Sequence, residues 1–322
     1  MPDAAGEVPA IERRRWPRRS RHHEAHVHWK HIAVYVPIVV LVIVLGGLAL
    51  WSFVERQSLV IVPEPIPRVT LVTADPDSPL TAAWVRLLTA AAIETTVVRA
   101  PVASHDGLVA RCGSGIALLG MPPANAPVRL TAERGTSDNA LKLGATPSPI
   151  LARLTPGGLL PARPAEVALL EEKPAMRVDA RWRDNARAAV MHMEMPGSRL
   201  LWMGIDPGAI APGPAVLLML RTSFRWLAQQ PISSGRNEGL VVTVERLRDR
   251  KSFAVKMLNR TQQRIMEPTA QIWFPQGVTR VALDGDVIMR RGATLVSQEE
   301  MCILSLPSLA ANEERILKLT AR

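Results

Sequence analysis

The longest apolar run of the chain covers residues 32–54 and contains no charged side chain. At about 1.5 Å of rise per residue, a helix of this length reaches across the roughly 30 Å hydrocarbon layer of a bilayer. Tyr35 and Trp51 stand near its two ends, where aromatic rings favour the interface. Gly46 and Gly47 would let a second helix approach closely. The pattern predicts an uncleaved transmembrane anchor over residues 32–54.

The segment before this run, residues 1–31, is strongly basic. Its arginines are Arg13, Arg14, Arg15, Arg18, Arg19 and Arg21. Because Lys and Arg near a membrane helix stay on the cytoplasmic side, the pattern predicts a cytoplasmic amino terminus and a periplasmic bulk, held in the inner membrane. The arginines lie beside the predicted helix, so topogenic charge and attraction to the lipid bilayer explain them better than nucleic acid, which is not expected as a partner.

Five of the seven histidines lie in the same basic segment. Four of them have a spacing that could suit a metal or a pigment: His22, His26, His28 and His31. Residues three or four apart share one face of a helix, and two imidazoles on one face can bind a metal. Only Glu24 supplies a nearby carboxylate. An interfacial segment beside lipid headgroups needs no ligand, and no cofactor is expected.

Residues 66–232 alternate between strand-like and helix-like patterns. Residues 69–74 and 95–100 are short β-rich runs, and residues 79–94 between them show helical spacing, with Trp84 and Leu88 on one apolar face. A further buried strand follows at residues 115–122. Strand, helix and strand in this order indicate a βαβ unit and a parallel sheet, so an α/β domain with a flavodoxin-like layout is expected.

The end of this region carries a resemblance. Residues 199–229, RLLWMGIDPGAIAPGPAVLLMLRTSFRWLAQ, resemble the closing strand and helix of class I glutamine-amidotransferase-like domains. The resemblance implies an α/β domain, and many such domains in envelope proteins have lost activity. Active members of the family use a cysteine on a glycine-flanked turn and a His-x-Glu pair.

Three residues are candidates for that chemistry. Cys112 stands in ARCGSG, and His192 and Glu194 stand two apart. Cys112 lacks the preceding glycine of a nucleophile elbow, so a working triad is not expected. Asp75 and Asp206 follow predicted strands, where α/β folds bind ligands, although aspartate beside proline is more often a turn former.

Residues 238–322 change to short strands with regular turns, which is typical of a β-sandwich of about 85 residues. Residues 252–263 and 306–319 resemble the C-terminal immunoglobulin-like domains of cytochrome-oxidase accessory proteins. The resulting expectation is a multi-domain chain with a single transmembrane helix, an α/β amidotransferase-like domain and an all-β immunoglobulin-like sandwich. Residues 231–239 would be the linker.

Composition narrows the classes of function. The chain has 322 residues, a formal net charge of +10 and only two cysteines, Cys112 and Cys302, which excludes a disulfide scaffold or a four-cysteine zinc site. Since no catalytic motif is legible, we expect a non-catalytic, membrane-anchored accessory subunit that scaffolds other subunits of a membrane complex. The alternatives left open are a ligand- or metal-binding sensor and an amidotransferase-like hydrolase.

Overall fold

The computed structural model describes residues 36–47, 64–100, 108–112, 116–120, 132–137, 140–161, 165–170, 172, 174–278, 280–284, 292–298 and 301–321. The chain divides into two compact units, Met1–Gln57 and Ser58–Arg322. The first unit contributes helix α1, residues 36–47. All other elements belong to the second unit.

The second unit is built mostly from strands. Its helices are α2 (Pro79–Ala90) and α3 (Pro214–Leu227). Its strands are β1 (Val69–Thr73), β2 (Thr95–Arg99), β3 (Leu108–Cys112), β4 (Ile116–Gly120), β5 (Ala132–Ser137), β6 (Ala140–Leu143), β7 (Leu159–Pro161), β8 (Ala165–Leu170), β9 (Arg177–Trp182), β10 (Ala188–Met195), β11 (Ser198–Met203), β12 (Ile232–Gly235), β13 (Leu240–Arg246), β14 (Ser252–Asn259), β15 (Ile265–Met266), β16 (Thr269–Trp273), β17 (Val281–Leu283), β18 (Thr294–Gln298), β19 (Met301–Ser305), β20 (Ser308–Leu309) and β21 (Glu314–Ala321).

A nine-stranded sheet forms the first half of this unit, in the order β2-β1-β3-β4-β11-β10-β9-β6-β7. Only β1 pairs in parallel, with β2 on one side and β3 on the other. From β3 onwards every pairing is antiparallel. The predicted βαβ unit is present as β1-α2-β2, but the expectation of an α/β amidotransferase-like domain was wrong. Chain reversals such as β3-β4 and β10-β11 replace the helical crossovers that a parallel sheet requires.

Helix α2 begins where the sequence supplies start signals. The Ser78 side chain accepts a hydrogen bond from the Thr81 backbone N–H, and Pro79 occupies the first turn, where a missing N–H costs least. Its predicted apolar face is buried, with Trp84 and Leu88 fully inaccessible. Trp84 belongs to the same core cluster as Leu220 and Phe224 of α3 and the alternate residues of β1.

The second half consists of two four-stranded antiparallel sheets, ordered β12-β16-β19-β18 and β13-β14-β21-β17. Strands such as β13 and β21 alternate buried and more exposed positions, as two sheets packed face to face require. Phe253, Val255, Ile272 and Leu304 share the core between the sheets. Residues 231–239, expected as a linker, contain β12, which pairs with β16.

The predicted membrane anchor is not supported. Within the described ranges no helix is long and apolar enough to span a bilayer. The expectation of a single-pass inner-membrane protein with a periplasmic bulk is corrected accordingly. Gly46 and Gly47 lie in the described part of α1, and a Cβ on either would meet no heavy atom within 4 Å in the described structure.

Several predicted residues lie outside the described residues. They are the tail arginines Arg13, Arg14, Arg15, Arg18, Arg19 and Arg21, the histidines His22, His26, His28 and His31, and the interfacial aromatics Tyr35 and Trp51.

We expect Trp84→Ala to lower the free energy of unfolding by about 3–5 kcal/mol, because it empties a large volume in the main core. Trp84→Phe should cost much less. The Trp84 indole Nε1 is buried with no hydrogen-bond partner among the described residues, so its removal also removes an unsatisfied donor. Urea unfolding followed by circular dichroism measures both. Equal losses of unfolding free energy in the two variants would contradict the expectation that the cost comes from the emptied volume.

Candidate functional site

A cavity of about 270 Å³ lies where the β10-β11 hairpin meets the sandwich; we call it the junction cavity. The hairpin lines it with His192, Glu194 and Arg199, and the carboxyl end of α3 adds Trp226. On the sandwich side the lining residues are Trp273, Phe274, Pro275, Gln276, Gly277, Val278, Val281, Ser297, Gln298, Met301 and Cys302. His192 and Glu194 share one face of β10 because side chains alternate along a strand.

His192 is held by a buried carboxylate. Its Nδ1 lies 2.7 Å from Oδ2 of Asp179 on β9, and both side chains are buried. The other Asp179 oxygen accepts a hydrogen bond from the Ser148 hydroxyl. The edge of the imidazole stands against Trp226, with ring centroids 5.1 Å apart. Nδ1 therefore faces Asp179, and Nε2 is the ring nitrogen left for the cavity.

Arg199 is a buried cation that joins three elements. Its side chain is about 3% exposed, and its Nη2 lies 2.7 Å from Glu194 Oε1. Nη1 donates to the Trp226 carbonyl at 2.6 Å, and Nη2 donates to the Phe274 carbonyl at 3.4 Å. The guanidinium also lies 4.8 Å from the centroid of the Trp226 ring. β11, the end of α3 and the sandwich are thus tied to one side chain.

Gln276 makes a second polar connection across the same junction. Its backbone N–H donates to the Gln229 side chain at 2.9 Å, and its Nε2 donates to the Met195 and Ser198 carbonyls. These carbonyls flank the turn between β10 and β11. The amide therefore satisfies backbone acceptors at the hairpin tip from the sandwich side.

The cysteine of this cavity is Cys302 on β19. It is a free, buried thiol, 3.5 Å from the Ser297 hydroxyl. Burial raises the pKa of the Cys302 thiol, and the hydrogen bond with Ser297 opposes this only in part. Since the thiolate is the nucleophilic form, the site contains a protonated and poorly reactive sulfur.

Cys112, the cysteine singled out from sequence, ends β3. Two strands, β4 and β11, separate β3 from β10, which carries His192 and Glu194. Three strand spacings correspond to about 14 Å between backbones. The topology therefore keeps Cys112 apart from the other two members of the proposed triad.

Asp75 and Asp206 do follow strands, as predicted, but their side chains are engaged in local turns. Asp75 Oδ1 accepts from the Asp77 N–H at 3.2 Å, and Asp206 Oδ1 accepts from the Gly208 N–H at 2.7 Å. Within the described part of the chain, no group of three or more His, Cys, Asp or Glu side chains could hold a metal ion.

Sequence reasoning missed Ser148, Asp179, Arg199 and Trp226. Asp179 lies within an otherwise strand-like run, RVDARW, and a charged residue at a buried strand position was the available signal. Its partners are 31 and 13 residues away along the chain, so only strand pairing brings them together.

The sequence matches no protein-family model and no curated protein. Among solved structures it is similar to a catalytic mutant of a GH42 β-galactosidase from G. stearothermophilus, at 10% identity and a TM-score of 0.31 over 80% of this chain. It is also similar to α-L-fucosidase isoenzyme 2 from Paenibacillus thiaminolyticus, at 10% identity and a TM-score of 0.33 over 83% of this chain. The chain spans 40% and 50% of those two proteins, respectively.

The described fold is mostly β, and its large sheet is antiparallel from β3 onwards. It does not support the expected α/β amidotransferase-like domain followed by a domain of oxidase accessory proteins.

We expect Arg199→Met to lower the free energy of unfolding by about 3 kcal/mol, because two backbone carbonyls lose a charged donor in a buried place. Glu194→Gln is the matched control. The Glu194 side chain is 42% exposed, so losing its charge should cost no more than about 1 kcal/mol. Urea unfolding monitored by tryptophan fluorescence gives both values, and similar losses would refute a linking role for Arg199.

Cys302 should react slowly with iodoacetamide in the folded chain. At about pH 8 we expect labelling at least tenfold slower than in urea, because the raised pKa and burial keep the sulfur protonated and covered. The folded-state rate should keep rising with pH above the ordinary thiol pKa. Peptide mass spectrometry distinguishes Cys302 from Cys112. Native labelling as fast as in urea would mean an accessible, activated thiol instead.

Proposed function

We propose that the chain is a non-catalytic accessory subunit that binds a protein partner within a larger complex. The observation that carries this proposal is that polar side chains at the junction cavity form hydrogen bonds with the protein itself. Arg199 and Gln276 connect the hairpin, the end of α3 and the sandwich through backbone carbonyls. Such bonds make the two halves of Ser58–Arg322 one rigid platform, which suits a scaffold.

The acid–base groups of the cavity support the same proposal. A carboxylate-held histidine resembles half of a catalytic dyad, but it needs a nucleophile within reach. The thiol of the cavity, Cys302, is kept protonated by burial, and Glu194 is paired with Arg199. These groups stabilise the junction instead of supplying an activated nucleophile.

Exposed strand edges offer the contact surfaces. β18 is the last strand of its sheet, and Val296 in its middle is 55% exposed. β7 ends the nine-stranded sheet, and its Leu159 is 52% exposed. An edge strand presents unpaired backbone groups to a further strand, and an apolar side chain beside them adds burial to that pairing.

The proposal predicts that Val296→Lys reduces recovery of the partner by about tenfold or more, because a charge replaces an apolar contact worth at least 1.4 kcal/mol. The tagged full chain is expressed in its native cells and purified gently, and stoichiometric companions are quantified by mass spectrometry. Gln298→Lys is the matched control, since it adds the same charge at another exposed position of β18. Leu159→Lys tests the β7 edge in the same way.

A chain that purifies alone, with wild-type and both edge variants indistinguishable, would refute the accessory role. Loss with Leu159→Lys instead of Val296→Lys would keep the role and move the contact to β7. Thermal unfolding of each variant verifies that the fold survives.

A second candidate is a ligand-binding module. The observation in its favour is the junction cavity, into which His192 presents a nitrogen that has no partner among the described residues. A small molecule that stays with the purified full chain and is lost in His192→Gln would favour this candidate over the accessory role.

A further inference from the structure

A second cavity, of about 380 Å³, lies beside α3; we call it the arginine cavity. Arg221 and Arg225 of α3 line it together with Arg153 from the loop before β7. The remaining lining residues are Glu64, Ile66, Leu218, Thr222, Gln230, Pro231, Ile232, Ser233, Val244 and Glu245. Its volume is within the range of small-molecule sites.

Arg221 and Arg225 are four residues apart, so they share one face of the helix. Like charges at this spacing destabilise a helix unless something neutralises them. Arg221 Nε donates to the Ala91 carbonyl at the end of α2, at 2.8 Å. This bond orients Arg221, which is otherwise exposed and has no carboxylate partner among the described residues.

Arg153 brings a third positive charge, held in a fixed orientation. Its Nε donates to the Ser233 carbonyl at 3.2 Å, and its Nη2 donates to the Val242 carbonyl at 3.0 Å. Burial and the neighbouring Arg225 lower the pKa of Arg153, and Glu245 opposes them. Two guanidinium groups are therefore close enough to repel each other in a partly dry environment.

Arg225 is the residue that remains without a partner. Arg225 is half-buried, its Nε is buried without a hydrogen bond, and no described residue forms a hydrogen bond or an ion pair with its guanidinium. A guanidinium has five N–H donors, and leaving the buried one unused is costly. An anion in the cavity would supply the missing acceptors.

The acidic side chains around the cavity do not balance these charges. Glu64 and Glu245 line it, but Glu64 Oε1 lies 3.4 Å from Arg246 Nε and so faces a fourth arginine. Four arginines thus face two glutamates. The surplus is two positive charges, which matches the charge of a phosphate or a phosphate monoester near neutral pH.

We propose that the arginine cavity binds a phosphate-class oxyanion, either free phosphate or the phosphate group of a small organic ester. A tetrahedral oxyanion offers several oxygens to guanidinium forks that converge from different directions, whereas a planar carboxylate pairs with one fork. Arg225 supplies unused donors, and Arg153 is held in place by backbone carbonyls. Arg221 lines the cavity from helix α3. This site is separate from the junction cavity and does not depend on the accessory role.

The test is a calorimetric titration of the full chain with inorganic phosphate, a phosphate monoester (phenyl phosphate) and acetate. We expect phosphate or the monoester to bind, and Arg225→Gln to weaken that binding by about tenfold or more. Arg260→Gln is the matched control. Arg260 is an exposed arginine directly after β14. The last residue of β14, Asn259, pairs with Leu240 at the opposite end of β13 from Glu245, so the loss of Arg260 should leave affinity within about twofold.

Thermal unfolding provides an independent readout that separates binding from folding. Without an anion, Arg225→Gln should unfold at or above the wild-type temperature, because it removes a repulsion with Arg153. Phosphate should raise the unfolding temperature of the wild type and of Arg260→Gln, but not of Arg225→Gln.

Each outcome decides the proposal. Tighter binding of the monoester identifies an ester as the ligand, and equal binding identifies the free anion. Millimolar phosphate and monoester without any effect, affinity unchanged in Arg225→Gln, or acetate bound as tightly as phosphate would each overturn it.

Discussion

A buried guanidinium at the centre of Ser58–Arg322 must be satisfied by the protein itself, and the arrangement around Arg199 follows from that requirement. A charge taken out of water is tolerated only when several acceptors surround it. Arg199 finds them in a carboxylate on β10, the carbonyl at the end of α3 and the carbonyl after β16. Because these acceptors come from three parts of the chain, satisfying one cation fixes the hairpin, the helix and the sandwich together.

The polar groups beside Arg199 also have partners within the protein. Asp179 is buried and accepts hydrogen bonds from both His192 and Ser148, and the ring of Trp226 contacts both His192 and Arg199. Each of these groups is oriented by a neighbour, and burial raises the pKa of Cys302, the thiol that lines the junction cavity.

The arginine cavity presents the contrasting case. Arg153 resembles Arg199 in donating to backbone carbonyls, and it is therefore held by the fold. Arg225 is half-buried, lies near the like charge of Arg153 and receives no acceptor from the described residues. Arg199 has a carboxylate and two backbone carbonyls as acceptors, whereas Arg225 has none among the described residues. We take Arg225 as the place where a ligand supplies the acceptors.

The local pattern of the sequence determined much of the secondary structure. The apolar periods at residues 69–73 and 79–90, with Ser78 and Pro79 as start signals, specify β1 and α2 whatever surrounds them. That local pattern did not determine which strands pair with each other. Whether β4 pairs in parallel or antiparallel, and that residues 232–235 complete a sheet, depends on contacts with residues far along the chain. The same holds for the sites. Asp179 and His192 meet through the β9-β10 ladder, and Ser148 reaches Asp179 from the loop that follows β6. Arg153 and Arg225 line one cavity only because the fold brings that loop close to α3. Periodicity records which face of an element is buried, whereas tertiary structure alone decides what it is buried against.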